Sequence, residues 1–306
     1  MMGCDLSIII VNWNAGTQLL TCVKSITHHG GGLVSDVIVV DNGSTDGSDA
    51  SIAGQPNVTL IRTGANLGFG KACNLGAQQA TGDYLLFLNP DAALYADTLP
   101  KALAFMEEPA NDKVGICGVQ LLDEAGKPST SAARFPTLRV MTGKILGVSK
   151  IFPRVFLPHL MTSTDLRENS SVDQVMGAFF LIRRNVFDCC DGFDERFFVY
   201  FEEVDLSLRA EQLGYSSYFL SEASAFHKGG GCSEQVKAAR LFYSLRSRIF
   251  YAKKHYSRME FVALVLLTGL ELPLRLVQGL IRVSWSDISN TFTAYTKLVN
   301  YFVRRI

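Results

Sequence analysis

Across about its first ninety residues the chain repeats one design, an unbroken apolar run that ends in polar residues. LSIIIVNWN (6–14) is the first, DVIVVDNGSTDGS (36–48) the second, VTLIRTGANLGFG (58–70) the third and DYLLFLNPDA (83–92) the fourth. Runs without polar alternation suit strands covered on both faces, as in parallel sheets. TQLLTCVKSI (17–26) and residues 71–80 carry helical spacing between them. Four strand–loop–helix units in about a hundred residues predict a doubly wound, mostly parallel α/β sheet. Every polar cluster falls at the carboxyl end of its strand, where such sheets bind ligands.

Beyond residue 114 the rhythm changes. Residues 114–122 read as a further strand. The stretch from 129 to 164 holds five Lys/Arg and no acid, and is expected to be a mobile, greasy excursion within 125–164. QVMGAFFLIRR (174–184) returns as a strand. FFVYFEEVDLSLRAEQLGY (197–215) then sets Glu202, Glu203 and Asp205 at the start of a helix, and SSYFLSEASAFHKGGG (216–231) gives short strands and a Gly-rich turn. From about 235 the pattern is helical. The expected division is a catalytic-type domain over 1–235, with a nucleotide-binding half to about 122 and an acceptor half from 123, followed by a basic amphipathic tail over 236–306.

Charge sharpens that division. The 306 residues have no net charge, yet 237–306 holds twelve Lys/Arg against three Asp/Glu. An acidic body with a basic, aromatic end points to an anionic surface and argues against nucleic acid. Within the end, 237–258 has seven Lys/Arg, five aromatics and no acid. The apolar run from 261 lasts ten residues before Glu271, Pro273 and Arg275 interrupt it, where a spanning helix needs about twenty. A peripheral helix pair lying on anionic lipid is therefore expected, with a domain-packing helix as the alternative. The leader MMGCDLS lacks the basic start of a signal peptide. The seven cysteines form no CxxC, so reduced thiols in a cytoplasmic protein are expected rather than structural zinc.

The strand ends supply the candidate chemistry. NWNAG lacks the glycines of a dinucleotide loop, and GANLGFGKA is one residue too long for a Walker A loop and lacks its Ser/Thr. What remains is Asn12, Asn14, Asp41, Asn42, Asn66, Asn89 and Asp91. An aspartate there can accept the imide N–H of uracil or thymine, and Asn66 with Gly68 lets backbone approach a nucleotide. Asn89 and Asp91, two apart, would face one ion if extended. Oxygen donors of this kind suit Mg²⁺ or Mn²⁺ carried with a diphosphate. Taken singly, each cluster is also a common turn, and acids in a first helical turn are favoured without any catalytic role.

Six motifs together carry a resemblance: VNWN, VIVVDNGSTDGS, NLGFGKACNLGAQQATGDYLLFLNPDA, MGAFFLIRR, GFDERFFVYFEEVDLSLR and FHKGGG. In order and spacing, over about residues 5–255, they resemble the inverting family 2 glycosyltransferases of GT-A fold. They are most similar to rhamnosyltransferase-like members that build bacterial surface polysaccharides. The resemblance implies that Asp41 binds the pyrimidine base beside Asn12 and Asn14, while Asn66, Gly68 and Lys71 flank the nucleotide. It implies that Asp91 is the main contact to Mg²⁺ or Mn²⁺, with Asn89 on ribose or metal. Gly177 keeps the acceptor side clear, and His227 lies near the diphosphate. Glu203 stands where the family usually has an aspartate base, one methylene longer, with Glu202 as second choice. The implied reaction moves L-rhamnose from dTDP-L-rhamnose to a polyprenyl-diphosphate-linked glycan at the cytoplasmic face of an inner membrane. A UDP-sugar donor or a non-catalytic sugar-nucleotide-binding homologue are the alternatives.

Overall fold

The computed structural model describes residues 5–162, 164–229 and 237–304. The N-terminal MMGC, with Cys4, and the second half of the Gly-rich turn through Cys232 lie outside the described residues. Among the described residues no disulfide is formed. The chain forms two compact units: Met1–Arg134 with Leu160–Glu195 and Glu202–Cys232, and Phe135–His159 with Arg196–Phe201 and Ser233–Ile306.

The first unit is built on strands β1 (Leu6–Asn12), β2 (Val34–Asp41), β3 (Val58–Arg62), β4 (Tyr84–Leu88), β5 (Ala92–Leu94) and β6 (Val114–Leu122). It continues with β7 (Ala132–Ala133), β8 (Ser170–Val172), β9 (Gln174–Val175), β10 (Phe179–Arg183) and β11 (Ser216–His227). Its helices are α1 (Thr17–His29), α2 (Phe69–Gln79) and α3 (Thr98–Glu107). Between α3 and the last two helices of this unit runs α4 (Leu138–Leu146), which belongs to the other unit; α5 (Arg184–Cys189) and α6 (Glu202–Gln212) follow.

The main sheet runs β3–β2–β1–β4–β10–β6–β11–β5, with β8 also on β11. β1 is buried throughout, and its side chains alternate as a strand requires. Leu6, Ile8 and Ile10 pack with Leu19 and Val23 of α1 and Leu99 of α3. Ile9 and Val11 pack on the other face with Ala72 and Cys73 of α2 and Leu206 of α6. The apolar runs are continuous because both faces of the sheet are covered.

The expected mostly parallel sheet is corrected to a mixed one. β1, β2, β3 and β4 pair in parallel. β10, however, is antiparallel to both β4 and β6, and β5 and β8 are antiparallel to β11. The reversal of β10 sets its first residue, Phe179, opposite Leu88, the last residue of β4. The chain just before β10 is thereby delivered to the carboxyl edge of the parallel strands.

The second unit contains α4 together with α7 (Lys237–His255), α8 (Arg258–Ile281) and α9 (Trp285–Val303). The stretch expected to be a loose excursion is folded over 138–146. Thr137 caps α4 by accepting from the Val140 N–H, and Gly147 closes it in a left-handed conformation, φ +72°. Val140, Met141 and Ile145 of α4 pack with Ala252 and Leu264. Leu245 and Ile249 of α7 pack with Tyr295 and Leu298 of α9. Ser257 and Glu260 form a capping box at the start of α8, satisfying two of its free N–H groups.

The basic segment 237–258 is not a uniformly solvated face. Arg246 is buried, its guanidinium 5.0 Å from the Tyr243 ring and 5.2 Å from the Tyr301 ring. Arg248 is also buried and donates to Glu271 at 2.6 Å and Thr268 at 3.1 Å. Arg275 holds the other oxygen of Glu271 at 2.6 Å. Among the described residues, no helix is long and apolar enough to cross a membrane.

Removing one member of a buried ion pair strands the other charge. Glu271→Ala is expected to lower the unfolding free energy by about 3–5 kcal/mol in urea titration. Arg62→Ala, which breaks the exposed contact to Asp49, is expected to change it by under about 1 kcal/mol.

Candidate active site

The carboxyl ends of β1 and β2 are joined by side chains as well as by the ladder. Register places Asn12 beside Asp41. Asn12 is fully buried, and its amide nitrogen lies 2.8 Å from Asp41 Oδ1, 3.0 Å from Ser44 Oγ and 2.8 Å from Ser48 Oγ. The Ser44 N–H donates to Asp41 Oδ2 at 3.2 Å, so both carboxylate oxygens are held in place. Asn14, at φ +53°, accepts from the Thr45 N–H at 2.7 Å. The DNGSTDGS loop is thus a hydrogen-bonded cradle with Asp41 at its inner end.

Asn42 ties this loop to the next. Its amide donates to Asn66 Oδ1 and to the Gly68 carbonyl, both at 3.1 Å, and its Oδ1 accepts from the Leu67 N–H at 2.8 Å. Asn66 in turn accepts from the Gly68 N–H at 3.0 Å. Gly43 is required where these loops meet. Its φ is +78°, and an added Cβ would come within 2.8 Å of the Ala65 backbone. Lys71, in the first turn of α2, lies 3.4 Å from Glu195, both side chains half exposed.

Asn89 and Asp91 are not extended, which corrects the ground for placing both on one ion. The Ala92 N–H donates to the Asn89 carbonyl at 3.0 Å, so the two residues lie in a tight turn and their side chains need not point alike. The group beside Asp91 is His227, with Nε2 3.4 Å from Oδ1. The sheet is responsible, because β11 pairs antiparallel with β5 and sets His227 opposite Ala92. Among the described residues no cluster of three His, Cys, Asp or Glu forms, so Asp91 and His227 make a two-group arrangement.

The Asn89 N–H donates to the Ala178 carbonyl at 3.1 Å, bringing Gly177 to the same edge. A Cβ on Gly177 would stand 3.9 Å from Glu203 Cδ, ordinary contact distance. Glu202 and Glu203 begin α6, and the two residues before them, Tyr200 and Phe201, have φ of +67° and +72°. Consecutive left-handed aromatic residues are strained, and such strain gathers at functional positions.

The paired glutamates differ in environment. Glu202 is buried and Glu203 partly open, and Oε2 of each has no hydrogen-bond partner among the described residues. Burial pushes both carboxyls above the usual glutamate range, Glu202 well above it because the charge of Glu203 adds to the burial. Each charge disfavours the other, and the larger rise falls on the more buried Glu202. Asp205 is different. It is fully buried and held by Arg209 at 2.7 Å, while Arg209 also donates to the carbonyls of Cys190 and Gly192. That arrangement fastens α6 to the loop before it.

Asn42, Ser44 and Ser48 were not among the residues assigned roles from sequence. Their signal was the density of Asn, Ser and Asp in DNGSTDGS, which a turn explains equally well.

A glutamate with a raised native pKa stabilises the fold below its unfolded pKa, and that stability is lost as pH rises through the native value. Glu202→Gln removes the loss. Its melting temperature is expected to gain on wild type as pH is raised from about 5 to about 8, read by thermal scans across that range.

The chain is similar to known proteins. The model of glycosyl transferase family 2 matches residues 7–190. The N-acetylglucosaminyl-diphospho-decaprenol L-rhamnosyltransferase of Mycobacterium tuberculosis is 29% identical over 265 residues, covering 82% of this chain and 85% of that protein. Rhamnosyltransferase WbbL of Escherichia coli K12 is 28% identical over 174 residues, 54% of this chain and 62% of its own length. Among solved structures, the mannosyltransferase PcManGT of Pyrobaculum calidifontis, in complex with GDP-Man and Mn²⁺, superposes with a TM-score of 0.57 at 15% identity, over 96% of this chain and 86% of that one. GalNAc-T7 with UDP, GalNAc and Mn²⁺ gives 0.57 at 16%, over 80% and 48%. Those likenesses show the fold, a GT-A-like α/β fold with a mixed sheet and C-terminal helices. With the family model spanning more than half of its length, the chain belongs to glycosyl transferase family 2.

Proposed function

We propose that the protein transfers L-rhamnose, with inversion, from dTDP-L-rhamnose to a glycan carried on a polyprenyl diphosphate. The observation that carries the catalytic part is the carboxylate of the half-buried Glu203 beside Gly177, at the edge that also holds Asp41 and the Asp91–His227 pair. The rhamnose is supported by the names of the Mycobacterium tuberculosis and Escherichia coli relatives, and the lipid-linked acceptor by that of the first.

In this reading Asp41, fixed by Asn12 and Ser44, accepts the imide N–H of the pyrimidine. Asn14, Asn66, Gly68 and Lys71 border the nucleotide, and Asn89 lies beside the ribose. Asp91 and His227 would hold a divalent cation. A carboxylate oxygen and an imidazole nitrogen fit Mn²⁺ or Mg²⁺, with phosphate oxygens completing the set. When bound, the cation offsets the charge gathering on the leaving diphosphate. Glu203 takes the proton of the acceptor hydroxyl as its oxygen attacks the anomeric carbon opposite the diphosphate. The bond to the diphosphate breaks with its electron pair, in one displacement. The protein would work as a peripheral protein on the cytoplasmic face of a bacterial inner membrane. Because Asp41 meets the same imide in uracil and thymine, a UDP-sugar is the second reading of the donor.

Glu203→Gln is expected to lower kcat by about 10²–10⁴-fold with the donor Kd unchanged, measured with dTDP-L-rhamnose and a polyprenyl-diphospho-GlcNAc acceptor. Undiminished turnover would remove Glu203 from the role of base. Since the base must be ionised and its carboxyl is raised, activity should fall with decreasing pH through a midpoint above the ordinary glutamate value of about 4.3. A midpoint at or below that value contradicts the assignment.

A further inference from the structure

The longest helix is turned inside out. Along α8, Met259, Val262, Leu266, Leu270, Val277 and Ile281 recur at three-, four- and seven-residue steps and are 49% to 85% exposed. These steps place them on one face. The stripe runs for about 33 Å at 1.5 Å per residue and contains no charged side chain. The polar groups point the other way: Thr268 and Glu271 are buried, and Arg275 is turned to Glu271. A water-facing helix normally shows the reverse pattern, and an exposed apolar surface of this extent marks an interaction site.

We infer that this face of α8 seats the protein on an anionic lipid surface, with the helix lying in the interface rather than crossing it. Three observations choose lipid over other occupants. The stripe ends in exposed cations, Arg258 at one end and Arg282 at the other, and exposed Trp285 follows at 75%. Arginine and tryptophan at the ends of an apolar stretch are the anchors of an interfacial segment. The chain from 237 onward carries twelve Lys/Arg against three Asp/Glu, which complements acidic headgroups. Glu260, Glu271 and Arg275 within the same helix exclude a spanning position. Of the expected helix pair, α8 carries the contact, since Arg246 and Arg248 of α7 are buried. Apolar side chains of α8 make the attachment, and cations at its ends add attraction.

This deepens the proposed function and rests on it only for the lipid-borne acceptor. Flotation of the full chain with vesicles of phosphatidylglycerol and phosphatidylcholine, and with phosphatidylcholine alone, tests it. Wild type is expected to float with the anionic vesicles. Leu266→Glu/Val277→Glu, two changes at exposed positions, is expected to bind them at least ~10-fold more weakly while keeping its melting temperature and its turnover of a short-chain, water-soluble acceptor. A readout independent of any folding defect is wild-type fluorescence, where lipids brominated in the acyl chain should quench emission that Trp285→Phe lacks. Equal flotation of the double variant, or no quenching, overturns the assignment. So does a wild-type dimer that ignores vesicles and becomes a monomer in the double variant, for a second copy would then cover the stripe. Vesicle binding without turnover of any sugar nucleotide sinks the transferase reading alone; turnover without vesicle binding sinks the docking face alone.

Discussion

Two glutamates placed side by side at the first turn of α6, largely withdrawn from water, are the constraint around which the site is arranged. Oε2 of each has no hydrogen-bond partner among the described residues, and burial disfavours the charge of a carboxylate. Burial therefore raises both carboxyls, and the charge of Glu203 raises that of Glu202 further. Even the thiol of Cys73 on α2 is raised by burial and then by the two glutamates. A folding liability of this kind, preceded by two left-handed aromatic residues, supports the proposed role of Glu203 as base.

The rest of the first unit delivers partners to that edge. Parallel strands β1, β2 and β4 end together, which sets out the loops holding Asp41 and Asp91. The antiparallel strand β10 begins where β4 ends and so presents Gly177 next to Asn89 and Glu203. β11 leaves in the same direction as β6 and then pairs with β5, so that its last residue, His227, meets Asp91. A wholly parallel sheet would not start a strand at that edge. Its mixed sense is therefore part of the site's construction, and the cradle of Asn12, Ser44 and Ser48 holds Asp41 in place while Asn42 ties its loop to the next.

Much of this was legible before any coordinates. Continuous apolar runs located β1, β2, β4 and β6, because burial on both faces leaves an unmistakable composition, whereas β3, only partly buried, repeated the same design more weakly. The polar residues closing those runs lie, as expected, at the carboxyl ends of β1, β2 and β4. Strand direction was not legible, since the period of apolar residues is the same for either sense. The turn at Asn89–Ala92 was hidden because Asn-Pro-Asp permits both extended and turned backbone. Residues 138–146 looked loose because their helix is short and its apolar side is completed by α8, far along the chain. Arg246 and Arg248 looked like surface charges. Three of the rings around Arg246, Phe242, Tyr243 and Phe250, are its neighbours on α7, but Phe198, Tyr301 and the Glu271 that holds Arg248 lie at separations that no local pattern reveals.

The central claim is that Asp41 and the Asp91–His227 pair form one site for a pyrimidine sugar nucleotide and its metal. Calorimetric titration of the wild-type chain with dTDP-L-rhamnose, UDP-GlcNAc, UDP-galactose and GDP-mannose, in Mn²⁺ and again with chelator, measures it directly. The account predicts binding of a pyrimidine donor that the chelator abolishes, with dTDP-L-rhamnose the tightest. Binding of GDP-mannose alone would contradict the role given to Asp41, and no binding of any donor in Mn²⁺ would contradict the site itself.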